Sequence, residues 1–120
     1  MAIRLKDAAG ANIDAGEEST LVITANFTDE NGDEVTPKTG FWTLSDLDGT
    51  VINDRTNIVI GSLASEIDVV LSGDDLALQS ASDTGRRAFL IKATYDSALG
   101  NDLPLNEEVQ FDINDFVKIT

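Results

Sequence analysis

Residues 41–53 read FWTLSDLDGTVIN, an alternating run that carries the only tryptophan and breaks at a tight, acidic turn. Side chains alternate along a strand, so Trp42 and Leu44 share a face. Two registers fit the turn. A two-residue turn at Asp48-Gly49 pairs Leu47 with Thr50, and Leu44 with the polar Asn53. A three-residue turn over Leu47, Asp48 and Gly49 pairs Leu44 with Ile52 instead. Asp46 then takes the first position of a type I turn, and Gly49 takes the left-handed position of a bulge. This second register gathers Trp42, Leu44 and Ile52 on one apolar face and is preferred for that reason. A hairpin of this kind points to an antiparallel sheet with one buried face.

The rest of the chain repeats the pattern. Residues 20–28, TLVITANFT, place Leu21, Ile23, Ala25 and Phe27 on one face and mostly polar residues on the other, with Val22 as the exception. Residues 66–72 alternate through Ile67, Val69 and Leu71, and residues 87–95 through Phe89, Ile91, Ala93 and Tyr95. Shorter strands are expected through Ile3 and Leu5, over residues 13–16 and over residues 58–60. The last strand is expected through Val109, Phe111 and Ile113, with its alternation continuing to Val117 and Ile119. Between these lie turn signals: residues 7–10, Asn31-Gly32 followed by Pro37, the polar run 53–57, Gly61, residues 80–85, and residues 96–102 around Gly100. Gly73-Asp74-Asp75 starts a short helical turn that faces Leu76 and Leu78 inward. Strands at this spacing, without a long helical pattern, predict a sandwich or barrel over residues 1–120 as one domain. The expected core is Trp42, Leu44, Ile52, Leu21, Ile23, Phe27, Ile67, Val69, Phe89, Ile91 and Phe111.

Composition narrows the chemistry. The hydrophobic fraction of 42% is that of a chain with a core. There is no cysteine and no histidine, so neither a disulfide framework nor the commonest general base and zinc ligand is present. Twenty-two acids against eight bases give a net charge of −14. Such a surface repels nucleic acid and anionic membranes and favours basic partners. The same acids also keep an all-β chain soluble and guard its sheet edges. No apolar run is long enough for a membrane-spanning helix, and residues 1–10 lack the apolar core of a secretion signal. With a methionine at position 1, the expectation is a small gene product made in the cytoplasm, the alternative being a fragment of a longer chain with an added start methionine.

The run DENGDEVTP into FWTLSDLDG, residues 29–49, resembles bacterial immunoglobulin-like domains of the Big type. In these a strand ends at an Asp/Asn-Gly turn, a proline follows, and the next strand carries a core tryptophan. SDTGRRAFLIKATYD, residues 82–96, is similar to the stretch in those domains where a glycine precedes a strand ending in Ala-Thr. The resemblance implies an immunoglobulin-like antiparallel β-sandwich of about seven to nine strands, with Trp42 on a central strand between the sheets. It departs from antibody-type domains in lacking the cysteine pair, and Tyr95 ends its strand where a tyrosine corner needs the start. Such domains occur in bacterial adhesins and in small structural proteins of tailed-phage virions. The resemblance therefore implies a non-enzymatic virion protein made in the host cytoplasm, either a capsid decoration or a head-tail accessory protein. It would dock on capsid or connector proteins, as a homo-oligomer on a lattice, without cofactor, nucleic acid or membrane. The alternative it implies is an adhesive module that binds a carbohydrate or protein at a cell surface.

The candidate sites are few. Asp29, Asn31 and Asp33 resemble the first ligands of a calcium loop, but Glu34 stands where that loop needs glycine and Gly40 where it needs glutamate. Asp46 with Asp48, and Asp74 with Asp75, lie at a turn and a helix start, where acids are favoured for local reasons. Partner contact is expected at two places. Met1, Ile3 and Leu5 form a short alternating arm that can add to its own sheet or to a neighbour's edge. Arg86 and Arg87 are the only adjacent bases and could dock an acidic patch, or lie along the strand start and neutralise nearby acids.

Overall fold

A computed structural model describes residues 2–7, 15–80 and 82–114. Eight strands are described: β1 (Ala2–Asp7), β2 (Ala15–Gly16), β3 (Thr20–Thr28), β4 (Thr39–Ser45), β5 (Ile58–Val59), β6 (Glu66–Ser72), β7 (Arg86–Ser97) and β8 (Gly100–Asn114). A single 3-10 turn, Gly73–Leu76, follows β6. The strands form two sheets, β1-β3-β6 and β2-β8-β7-β4-β5. In chain order this is the immunoglobulin arrangement, with strands A, B and E in one sheet and A′, G, F, C and C′ in the other. The fold is thus an immunoglobulin-like β-sandwich. One pairing departs from the antiparallel expectation: β2 runs parallel to β8, through Ala15 with Ile113 and Gly16 with Asn114.

The core follows from the period of two. The first sheet turns Leu21, Ile23, Ala25 and Phe27 inward from β3, and Ile67, Val69 and Leu71 from β6. The second sheet answers with Trp42 and Leu44 from β4 and with Phe89, Ile91 and Tyr95 from β7. All eleven residues expected in the core are buried. Trp42 stacks on Phe89 with ring centroids 5.6 Å apart.

The hairpin takes the three-residue turn. Ser45 bridges Val51, the Ile52 N–H donates to Leu44 O at 2.9 Å, and the Gly49 N–H donates to Asp46 O at 3.2 Å. Gly49 has φ +90°, and Trp42, Leu44 and Ile52 are buried together. The returning arm then breaks. Asn53 and Asp54 both have left-handed φ, the Leu44 N–H donates to Arg55 O at 2.8 Å, and strand pairing with β4 resumes at Ile58, opposite Trp42. Residues 53–57 therefore bulge from the sheet edge while staying pinned to β4 at Arg55. Val22, the exception in β3, lies in register with Val70 of β6 on the outer side of the first sheet. Like residues opposite each other on one face stabilise the pair.

One expectation is corrected here. Residues 96–102 are not an open turn, because β7 and β8 meet through only Ala98 and Leu99 and β8 starts at Gly100. Polar residues and Pro104 hid the first half of this strand. Proline is tolerated there because β2 covers β8 only at its far end, leaving an edge strand around Pro104. Val117, Ile119, Met1 and Ile13 lie outside the described residues.

Candidate interaction surface

The first acid of the calcium-like loop and the first acid of the hairpin turn are engaged by their own backbone. Asp29 Oδ1 accepts the N–H groups of Asn31 (2.9 Å) and Asp33 (3.0 Å), and Asp46 Oδ1 accepts those of Asp48 (2.9 Å) and Thr50 (3.0 Å). These are Asx-type turns, the ordinary role of aspartate in tight loops. Among the described residues no three acids converge into a metal-ligand cluster.

Three further charge clusters fix the loops. Asp75 is buried at the 3-10 turn and accepts hydrogen bonds from Arg55 Nε (2.8 Å), Asn53 Nδ2 (2.8 Å) and the Ser72 N–H (3.2 Å). Burial alone would raise its pKa, but Arg55, Asn53 and Ser72 together bring it below the ordinary value. Arg55 also lies over the Trp42 ring, 6.0 Å from its centroid. Asn53 and Arg55, in the bulged return of the hairpin, are thus clamped to the 3-10 turn that follows β6.

Arg87 forms the second cluster and overturns part of the expectation for the arginine pair. It has the parity of Phe89 and Ile91, so its side chain enters the sandwich and is 1% exposed. Its guanidinium grips Asp83 by two hydrogen bonds, 3.0 and 2.6 Å, and also donates to the Arg86 and Ala77 carbonyls. These Arg87 bonds, against the opposing effect of burial and with help from the Gln79 and Gly85 N–H groups, hold the Asp83 carboxyl far below the usual range. Arg87 is therefore not available to a partner. Arg86 points the other way, is exposed, and sits 3.9 Å from Asp112. Alternation was the signal, and the charge of Arg87 obscured it.

At the opposite end, Lys38 reaches Asp102 (2.8 Å) and Asp96 (3.3 Å), and Glu30 accepts from Ser97 Oγ (2.7 Å) and Tyr95 Oη (3.3 Å). Hydrogen bonds from Lys38 to the two carboxylates raise the lysine pKa. Burial and the Glu30 charge raise that of Tyr95.

What these clusters leave accessible is edge and groove. The arm pairs with its own sheet, Ile3 opposite Phe27 and Leu5 opposite Ala25, so among the described residues β1 is an ordinary first strand at the edge of that sheet. Between the edges of the two sheets, β5 and β6 face each other across a groove of about 560 Å3. Val59, Ile60, Gly61 and Ser62 form one wall, β6 the other, and Trp42, Ile67 and Val69 line it from the core side. Val59 and Val70 are 68% and 55% exposed on its rims. Sequence reasoning missed this groove, since nothing local to Val59 and Val70 shows that their strands end the two sheets. No protein-family model matches the chain, and no curated protein matches it in sequence.

Proposed function

We propose that the chain is a non-enzymatic structural protein of a tailed-phage virion, a capsid decoration or head-tail accessory protein that docks on capsid or connector proteins. The observation that carries this reading is the use made of the charged groups. Every strongly engaged acid and base described above holds a loop in place, while among the described residues the sheet edges and one groove, lined by apolar and acidic side chains alike, stay open to a partner. That division suits a module whose work is contact, repeated over many copies so that modest interfaces add up by avidity. The phage setting rests on the resemblance of residues 29–49 and 82–96 and is an analogy at the level of fold. Mass spectrometry of purified particles tests it: the protein is expected in intact virions at stoichiometric level. Its absence from particles, with recovery in the cell-envelope fraction, would replace this reading with that of an adhesive module.

A further inference from the structure

We propose that the outer edge of β6 is a docking site for an extended segment of a basic partner protein, which joins the first sheet as a fourth strand. The backbone phase makes the edge receptive. The Phe27 N–H donates to Ser65 O (2.8 Å), and the Gly73 N–H donates to Ser19 O (3.1 Å). In an antiparallel ladder such bonded pairs alternate, so residues 65, 67, 69, 71 and 73 bond toward β3. Glu66, Asp68 and Val70 therefore turn their N–H and C=O groups outward, away from β3. Immunoglobulin sandwiches of the constant type carry a strand D beside strand E at this position. Here the chain passes from β5 to β6 through residues 60–65, and among the described residues β6 remains an edge.

Side chains define the occupant. One face of an added strand would lie over the groove beside Val59, Ile67 and Val69, and needs apolar residues there. Its other face would run beside Glu66, Asp68 and Val70, the outward residues of β6. Glu66 and Asp68 select lysine or arginine at those positions by cross-strand charge pairing. A second copy of this chain is the wrong occupant at neutral pH. Two β6 strands paired antiparallel about Asp68 would set Asp68 against Asp68, on chains that each carry a net charge of −14. The expected partner segment thus alternates basic and apolar residues, the β-augmentation mode of recognition. The inference rests on the docking role proposed above, though not on which assembly the chain serves.

The test is a titration of the isotopically labelled full chain with a capped seven-residue peptide of alternating lysine and valine. A peptide with glutamate in place of lysine is the control. Amide shifts are expected to concentrate at residues 66–70 and 58–60, to be absent with the glutamate peptide, and to weaken as salt rises from about 50 to 300 mM. Val70→Pro removes an outward N–H without breaking a bond to β3, and should weaken binding about three- to tenfold. Glu66→Lys, at an exposed position, should weaken it about threefold or more even if the proline variant folds poorly. Shifts spread evenly over the acidic surface, equal response to the glutamate peptide, or affinity unmoved by Glu66→Lys would overturn the proposal. A silent titration with the protein present in virions would remove this docking site and leave the virion role standing. Specific binding by a protein absent from virions would do the reverse.

Discussion

The neighbouring arginines offer the sharpest test of how the polar groups are used. Asp83→Ala removes both carboxylate bonds to Arg87, at 2.6 and 3.0 Å, and also the acceptor of the Gln79 and Gly85 N–H groups. The Arg87 side chain is 1% exposed, and its Nε already has no hydrogen-bond partner. After the substitution the cation keeps only the Arg86 and Ala77 carbonyls. Removing one member of a buried ion pair typically costs about 3–5 kcal/mol, because the surviving charge is left in a poor solvent. The lower half of that range is expected, since the Asp83 side chain is 10% exposed and water can reach the gap. A chain of 120 residues has roughly 6–18 kcal/mol of stability in all, so the variant folds but with a large loss.

Urea denaturation followed by Trp42 fluorescence reads this directly. With a slope of about 2 kcal/mol per molar, the middle of the usual range, the midpoint should fall by roughly 1.5–2 M. Arg86→Ala is the matched control. Arg86 and Asp112 are both mostly exposed and 3.9 Å apart, so its loss should stay within about 0.5 kcal/mol. The double change Arg87→Met with Asp83→Leu should recover much of the Asp83→Ala loss, as apolar replacements of buried pairs often do. If Asp83→Ala and Arg86→Ala cost the same, the placement of Arg87 inside the sandwich is wrong.

Three shorter tests follow. Gly85→Ala should destabilise by at least about 1 kcal/mol more than Gly49→Ala in the same urea assay: both glycines have positive φ, but at Gly85 a Cβ would lie 2.8 Å from Ile113 O, and at Gly49 it meets nothing within 4 Å. Leu44→Ala, at a fully buried position between the sheets, should cost about 2–5 kcal/mol. Asp75 and Asp83 both have pKa values below the ordinary carboxylate value, so as pH falls the unfolded chain takes up protons first. The stability they contribute is complete above about pH 5 and drains away below about pH 4, and thermal melts of Asp83→Ala should show a flatter slope across that window.

Much of the sandwich was legible because one physical rule, alternation on a half-buried strand, produced most of it. The rule located β3, β4, β6 and β7, and the cost of burying Asn53 opposite Leu44 selected the hairpin register. It failed where a strand is not half-buried. Residues 100–108 are exposed on most positions and hold Pro104, so their pairing with β7 leaves no apolar stripe to read. The parallel β2–β8 contact is only two residues long. The polar clusters were hidden for a different reason. Asp75 reads locally as an acid at a helix start, yet its principal partners are Arg55 and Asn53, twenty or more residues away. A contact over that distance is set by topology, and local chemistry gives a sufficient but different account of the same residue. The groove is topological in the same way, since nothing in residues 58–70 states that β5 and β6 end their sheets.

The acidic surface connects these points, because it lets the sandwich keep open edges without pairing to itself. Outward backbone groups on β6 and the apolar rims at Val59 and Val70 would favour self-association in a neutral chain. Charge opposes it at pH 7, and the opposition should fade as the acids protonate toward the isoelectric point near 4.1. Sedimentation velocity on dilute protein should therefore show a monomer at pH 7 and growing association as the pH approaches 4.5. Loss of net charge alone predicts the same trend, so the site must be tested by position. Val70→Lys and Leu99→Lys add the same charge at exposed apolar residues, one on the β6 edge and the other at the β7–β8 turn. If the edge is the contact, Val70→Lys suppresses association and Leu99→Lys leaves most of it. Equal suppression by both would mean that bulk charge governs the association, and that the β6 edge has no special part in it.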